Sequence, residues 1–579
     1  MQPDAVPMPR ISASPASKFG RPRLFYHLCL KFTASMTNKE IANAFNALAD
    51  LMELHEDNEF KIKTYRNAYI ALRKLDQPLS DMLPDELKQI KGIGPATSSK
   101  IQEMLQSGTL KNLTDLQQIT PPGVVEMLDL NGFGPKKVRA VWKDMGIETI
   151  GELWYACNEN RLVEYKGFGL KTQEDLLKKL EYYQRSKGKL HIDAAERIAA
   201  ETGALLATAL PGAFIAPTGE VRRKCPVVSR VELLVGYNGE LTAAFDGEQL
   251  VLLNEQVPIY QARLSSGAEV TLYRCLAEEF GSKLFQYTGP AAYVAEFAAQ
   301  HPGVSFKGLR MEQEVFEKVG QSYVIPECRD LPTHQRPADT DALITADALR
   351  GVLHVHTNWS DGLHSLEQMC ARAQELGYDY IGITDHSKAA FYANGLSIER
   401  VQQQWEAIDR LNEKMAPFRI LKGIESDILN DGSLDYPDNI LDGFDFIIAS
   451  VHTNLKMSRE KATERLIRAI ENPHTTILGH PTGRLLLSRE GYPLDWDAVL
   501  EACARHRVAI ELNAHPYRLD IDYTLIPAAT ALGIDISINP DAHSLGGLEH
   551  VAFGVQTARK GALKSTACFN AKLPEAWIK

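Results

Sequence analysis

The stretch VLHVHTNWSDG at 352–362 places His354, His356 and Asp361 in one short span behind an apolar lead-in. Residues two apart on an extended segment share a face, so both imidazoles can clasp one metal. The Ser360-Asp-Gly turn lets the carboxylate fold back toward them. Downstream follow Thr-Asp-His ending at His386, Glu425, Ser-x-His ending at His452, Gly-His-Pro around His480, and Asp-x-His at Asp541 and His543. The last two again have strand spacing and are expected to share a metal. Eleven of the 16 histidines lie beyond residue 350. Nine such groups exceed what one tetrahedral zinc uses. Two or three divalent ions are therefore expected, and the mixed nitrogen and oxygen set suits zinc, manganese or iron.

Around these ligands, short apolar strands alternate with helical segments: YIGIT, FRILKGIES, FDFIIAS, TTILGH, VAIELN and IDISINP, between 380 and 540. Such alternation predicts a parallel sheet or barrel, and most of the nine sit at or just past strand ends, where barrel sites are built. His364, His474, His506, His515 and His550 lack that placement and read as surface or capped histidines. Arg484, in Gly-His-Pro-Thr-Gly-Arg, reads either as a bidentate phosphate contact or as a packing residue.

The N-terminal third has a different grammar. From 36 to about 185 it reads as all helix. Thr37 and Glu40 fit a capping box, followed by Ile41, Phe45, Leu48 and Met52 at helical spacing. Three related turns then recur: Lys91-Gly-Ile-Gly-Pro95, Asn131-Gly-Phe-Gly-Pro135 and Lys166-Gly-Phe-Gly-Leu170. Each leads into an amphipathic segment, SSKIQEML, KKVRAVW and TQEDLLKKL. This is the helix-hairpin-helix signature: glycines permit a tight turn near a sugar-phosphate backbone, and the following amides can hold a phosphate. One such turn is explained equally well by a helix cap; three copies with the same sequel predict DNA binding. The candidate contacts are Gly92, Gly94, Lys100, Gly132, Gly134, Lys136, Lys137, Arg139, Gly167, Gly169 and Lys171.

Composition sets bounds. The 579 residues exceed what one core serves, and no apolar run approaches the ~20 residues of a membrane span. Eight scattered cysteines without a CxxC pair fit reduced thiols and a cytoplasmic location. The net charge of −11 divides as +4 for 1–35, 0 for 36–190 and −15 for the remainder. Any nucleic-acid contact must then be local. The six expected segments are 1–35, a disordered or over-called extension; 36–110, helical with the first hairpin; 111–189, fingers-like with two hairpins; 190–330, mixed α/β; 331–349, a polar, proline-bearing linker; and 350–579, the metal barrel. In the fourth segment the candidate strands are Arg230–Gly236, Gln249–Leu253 and Glu269–Cys275.

The nine ligands resemble, residue for residue, the polymerase-and-histidinol-phosphatase (PHP) domain, which implies a distorted (β/α)7 barrel, a trinuclear metal centre and phosphoester hydrolysis. Hairpins, then an α/β segment, then this barrel resembles the bacterial family X DNA polymerases over about 36–579. That resemblance implies a nucleotidyltransferase-like palm and thumb in the middle. The family palm holds triphosphate with Gly-Ser…Arg-Arg and two magnesium ions with Asp-x-Asp and a later aspartate. Here the matching positions read Gly219-Glu220…Arg222-Arg223, Arg230-x-Glu232 and Thr271. The three metal positions sum to zero charge. Magnesium needs anionic oxygens, so no magnesium is expected in the palm. Glu269, on the same face as Thr271, lies about 6–7 Å away along the strand, too far to replace it.

The leading expectation is a monomeric DNA-repair phosphoesterase acting on gapped, nicked or 3′ ends. The resemblance implies manganese-stimulated 3′→5′ exonuclease activity, with 3′-phosphatase or abasic-site cleavage as further family chemistry. The alternatives are a gap-filling polymerase with altered metal ligands, a small-molecule phosphatase with the front half as spacer, and a non-catalytic DNA-binding scaffold.

Overall fold

In the computed structural model the described residues are 36–578 apart from 37, 74, 76, 78, 80, 81, 91, 131, 132, 164, 166, 187, 188 and 246. The expectations for residues 1–35, for Thr37 and for Lys91, Asn131, Gly132 and Lys166 lie outside the described residues. The described residues fall into two compact units. One ends at Leu128 and includes Gly134–Ala140; the other comprises Asp129–Phe133 and everything from Val141 onward.

The first unit is helical. Helix α1 (Asn38–Leu54) buries Ile41, Phe45, Leu48 and Met52, the positions spaced for one face. Helix α2 (Glu59–Leu72) starts at Asn58, whose side chain accepts from the amides of Phe60 and Lys61. Such caps satisfy amides that have no partner within the helix. Helix α3 (Pro95–Ser107) begins with proline at its first position after Gly94, where the missing N–H costs nothing.

The three glycine turns share one geometry. The amides of Ile93, Phe133 and Phe168 each bond the carbonyl three residues back at 2.9 Å, and Gly94, Gly134 and Gly169 each accept from a helical amide four residues on. Gly92 and Gly167 adopt φ of +98° and +101°, which favours glycine. The second hairpin departs from expectation. Instead of a continuous helix through KKVRAVW, α4 spans only Pro135–Arg139 and passes into a π turn at Ala140–Asp144. Gly146, at φ +68°, lets the Ile147 amide close onto the Val141 carbonyl at 3.0 Å, ending the helix.

The second unit begins with helices α5 (Ile150–Asn158) and α6 (Leu170–Ser186). Thr149 and Glu152 form a capping box on α5. A five-stranded sheet follows, formed by β1 (Phe214–Pro217), β2 (Val231–Gly236), β3 (Leu250–Gln256), β4 (Ile259–Leu264) and β5 (Glu269–Cys275). Its order is β1-β2-β5-β4-β3, with β2 and β5 parallel and in register at Glu232 and Thr271. The sequence reading found β2, β3 and β5 but missed β1 and β4. Within 331–349, Leu331, Leu343 and Ile344 are buried, and the Ile344 amide bonds the Leu563 carbonyl at 2.9 Å.

The C-terminal sheet has seven parallel strands in sequence order: β6 (Gly351–Val355), β7 (Tyr380–Ile383), β8 (Arg419–Asp427), β9 (Phe446–Ser450), β10 (Ile477–Leu478), β11 (Ala509–Asn513) and β12 (Ile536–Asn539). Beyond the last strand, Ala542 bonds back to the first. The His356 amide reaches its carbonyl at 2.9 Å, and its own amide reaches the His354 carbonyl at 3.1 Å. The sheet is therefore a nearly closed barrel. Strands β6, β7, β9, β11 and β12 are buried throughout, as strands covered on both faces must be.

Candidate metal centre

All nine sequence-predicted ligands converge at the C-terminal ends of the barrel strands. Their donor atoms form four overlapping groups: His356, Asp361, His386 and His543; His354, Glu425 and His480; His354, His356 and Asp541; and His386, Glu425 and His452. Within each group the ligating atoms lie within 4.8 Å of one another. None of the five histidines read as surface or capped joins any of these groups. Glu425 is the hub, approached by His354 Nε2 at 3.2 Å, His386 Nδ1 at 2.9 Å, His452 Nε2 at 3.1 Å and His480 Nε2 at 3.0 Å.

The pairing of neighbours differs from the strand-face argument. His354 and His356 do meet over Asp541 Oδ1, at 3.4 and 3.2 Å. They do so because the strand breaks there: His354 has φ +60° and Asp541 φ +52°. Left-handed backbone at such residues costs of order 1–3 kcal/mol and persists where tertiary structure imposes it. Asp541 and His543 were expected to share an ion. His543 turns its Nε2 toward Asp361 Oδ1 at 3.3 Å, while its Nδ1 lies 3.9 Å from Asp541 Oδ1, and the two residues also form a group with Glu159.

The donor set fits divalent cations. His354 Nε2, both ring nitrogens of His356, Asp361 Oδ2, His386 Nδ1 and Glu425 Oε2 are buried and make no aligned hydrogen bond, although His386 Nδ1 and Glu425 Oε2 stand only 2.9 Å apart, an arrangement buried polar atoms avoid unless something else is bound. Burial alone favours neutral Glu425, but His452, His354 and His386 hold its carboxyl well below the usual range. Burial likewise opposes charge on His452, yet Glu425 and Asp427 raise its imidazole to about 10. His356, dry and beside His543 and His386, falls to about 3. The carboxylates thus demand cationic neighbours, a demand that metal ions meet directly.

A buried carboxylate that the sequence reading did not single out organises the first loop. Asp385 accepts from the amide and hydroxyl of Thr357, both at 2.7 Å, from the Ser360 amide at 3.2 Å and from Gln404 at 2.6 Å. It thereby fixes the segment that delivers Asp361. Arg484 takes the packing role: it donates to Arg518 O at 3.0 Å, to Asp522 at 2.8 Å and to Leu519 O.

Helix α5 closes the mouth of the site. Tyr155, Glu159 and Arg161 line its cavity together with Tyr392 and Arg518. Glu159, which sequence reasoning missed, groups with Asp541 and His543. Its only local signal is an acidic residue after a helix, indistinguishable from a solvated one.

The middle sheet contrasts with this. Glu232 accepts from Tyr273 Oη at 2.6 Å, opposite the neutral Thr271, and Arg230 is exposed. A Cβ on Gly219 would fall 2.0 Å from Glu232 Oε2, so this carboxylate lies on the Gly219 backbone. Arg222 is held bidentately by Glu312 at 2.6 and 3.0 Å, and Arg223 by Asp330 at 3.2 Å. Glu269 is exposed and paired with Arg263 at 2.6 Å. In the hairpins, Lys100 is drawn to Asn112 at 2.6 Å and Arg139 to Glu56 at 2.7 Å, whereas Lys136 and Lys171 are exposed.

Comparison with known proteins fits these parts. Residues 36–110 match the helix-hairpin-helix domain, 124–181 the SAM-like helix-hairpin-helix tandem and 353–515 the PHP domain. Over 566 residues the chain is 32% identical to the DNA polymerase/3'-5' exonuclease PolX of Bacillus subtilis (strain 168), covering 93% of this chain and 98% of that one. The chain belongs to the PolX family of DNA polymerases. Its PHP part is also 34% identical over 167 residues to YcdX of Escherichia coli O81 (strain ED1a), named a probable phosphatase, covering 28% of this chain and 62% of the relative. A probable phosphatase of Caldanaerobacter subterraneus subsp. tengcongensis is 29% identical over 214 residues, covering 34% and 77%. This PolX-family chain thus joins helix-hairpin-helix domains to a mixed sheet and a PHP barrel. No helix among its described residues is long and apolar enough to cross a membrane.

Proposed function

We propose that this PolX-family chain is a DNA-repair phosphoesterase that trims 3′ ends through its PHP centre and has lost templated polymerisation. The observation that carries the reading is the contrast between its two candidate sites. The barrel gathers three carboxylates and six imidazoles with unpartnered donor atoms. The three palm metal positions offer one carboxylate, already engaged by Tyr273, beside an exposed arginine and a threonine.

His354, His356, Asp361, His386, Glu425, His452, His480, Asp541 and His543 hold two or three ions. When bound, these supply Lewis-acid stabilisation of phosphoryl charge and an activated water. The chain's own groups do the rest. Arg161 lies 4.6 Å over the Tyr392 ring, and its Nε is buried without a hydrogen-bond partner among the described residues. It is the cation available to orient a phosphoryl oxygen. Arg518 is already committed to Tyr155 Oη at 2.9 Å and Asp541 at 3.7 Å, so it maintains the wall. The hairpin turns hold the duplex by backbone amides and the exposed lysines. The name of the Bacillus subtilis relative supports nuclease chemistry on DNA; the named phosphatases support phosphoester hydrolysis by the barrel.

The test is a gapped duplex with a 5′-labelled upstream strand, incubated with manganese-loaded protein with and without deoxynucleotides. Shortening without extension is expected, abolished in His354→Ala and little changed in Glu232→Ala. Extension by even one nucleotide in magnesium or manganese overturns the loss of polymerisation. Much faster hydrolysis of small phosphomonoesters than of DNA ends overturns the DNA substrate.

A further inference from the structure

Three imidazoles of the barrel site share one design. His354 meets Glu511 through Nδ1 at 2.5 Å while its Nε2 faces Glu425 and Asp541. His452 meets Asp427 through Nδ1 at 2.9 Å while its Nε2 faces Glu425 at 3.1 Å. His543 meets Glu159 through Nδ1 while its Nε2 faces Asp361 at 3.3 Å. A carboxylate on the outer nitrogen fixes the ring's tautomer and plane and makes the inner nitrogen a better ligand. Glu511 and Asp427 belong to barrel strands. The third carboxylate does not: Glu159 stands at the C-terminal end of α5, in the helix-hairpin-helix tandem.

We propose that Glu159 and Tyr155 are positioning residues of the PHP metal centre, donated by the helical tandem to orient His543 and Asp541. The inference rests on the metal-dependent phosphoesterase reading above and adds a part to it: the carboxylate on the outer nitrogen of His543 comes from outside the barrel. Tyr155 does for Asp541 what Glu159 does for His543, its hydroxyl donating to Asp541 Oδ2 at 3.3 Å while accepting from Arg518 at 2.9 Å. Glu159 is only 4% exposed, a place where a carboxylate is costly unless it is paired.

The docking of α5 explains how so distant a segment is aimed. Trp154 stacks on Tyr517 with ring centroids 3.5 Å apart, Glu152 pairs with Arg489 at 2.8 Å and Glu148 with Lys456 at 2.6 Å. A Cβ on Gly151 would land 1.3 Å from Ser488 Oγ, so only glycine lets the helix approach this closely. These contacts fix the helix just ahead of the two residues that reach the site.

The test measures manganese alone binding to the full chain, by equilibrium dialysis with metal analysis, in wild type, Glu159→Ala, Glu159→Gln, Tyr155→Phe and Glu152→Ala. Glu159→Ala is expected to weaken one ion about 10–100-fold and leave the others unchanged. Glu159→Gln keeps the shape and one acceptor, so it falls between. Tyr155→Phe also weakens a single ion. Glu152→Ala, which loosens the docking from outside the site, is expected to weaken the same single ion, but less than Glu159→Ala does. Circular dichroism melts of every variant separate ion loss from misfolding. Unchanged manganese constants in folded Glu159→Ala overturn the proposal, as does loss of every ion together. Faster hydrolysis with unchanged binding also overturns it and makes α5 a lid instead. If the wild-type chain binds no manganese, the parent reading fails first, on the wild-type arm alone.

Discussion

Replacing Asp385 by alanine tests whether the metal loop is built by one buried carboxylate. Asp385 is fully buried and holds Thr357, Ser360 and Gln404 through the bonds described above. Its removal takes the acceptor from two backbone amides, two hydroxyls and a glutamine amide in a dry interior. Each orphaned group costs about 1–3 kcal/mol, and relaxation keeps such sums from adding fully. A loss of about 3–5 kcal/mol is expected, in the range for breaking a buried charged network. At roughly 2–4 °C per kcal/mol for a domain of barrel size, the melting transition of the barrel falls by about 6–20 °C. Because the same bonds pin the turn carrying Asp361, the ion held by His356, Asp361, His386 and His543 weakens as well. The variant Asp385→Asn keeps the side-chain shape and one acceptor, so it loses less on both counts. Calorimetry and manganese titration of the two variants decide the matter. An alanine protein that melts with the wild type and binds manganese equally well refutes the account.

Three further outcomes follow from the geometry. Glu312 is buried, which alone would raise its carboxyl, but Arg222 and Arg329 hold it below its ordinary value. A depressed carboxylate stabilises fully above its unfolded pKa of about 4.3, and that contribution is lost as pH falls through the folded value. Glu312→Gln, which leaves fully buried Arg329 unpaired, therefore costs about 3–5 kcal/mol near neutrality. The gap from wild type narrows on acidification below about pH 4; a gap constant with pH in urea unfolding contradicts this. At Gly94 and Gly169 an added Cβ meets nothing within 4 Å. Valine there should leave the fold intact yet hold a sugar-phosphate backbone away, weakening duplex binding about tenfold at each site, or about 1.4 kcal/mol; fluorescence anisotropy at fixed salt checks it, and an unchanged Kd removes these turns from the DNA interface. Arg161→Ala should raise KM for DNA ends about tenfold or more while manganese binding stays unchanged; a normal KM in steady-state hydrolysis excludes Arg161 as the phosphate contact.

Much of this was legible in the sequence because the signals are local. The barrel strands announce themselves as short apolar runs between helices, and the glycine turns repeat because the same tight turn is needed, with a left-handed step at Gly92 and Gly167. The nine ligands stand beside strand ends, where parallel order alone brings them to one rim. Identity and charge at Arg230, Glu232 and Thr271 were equally plain without coordinates.

Other features depend on contacts between residues far apart in the chain. Whether Arg484 meets a phosphate or packs against Asp522 depends on where residues 518–522 pass. Asp541 and His543 look like a simple pair on paper, but with a left-handed turn at Asp541 the Nε2 of His543 faces Asp361, and the two residues share a group only together with Glu159. Glu159 is the sharpest case. Nothing within ten residues of it signals a role beside a metal, and it reaches His543 only because Gly151, Trp154 and Glu152 seat α5 on the barrel. The chain's local chemistry determines which groups are offered; long-range packing, through burial and backbone strain, decides which of them meet.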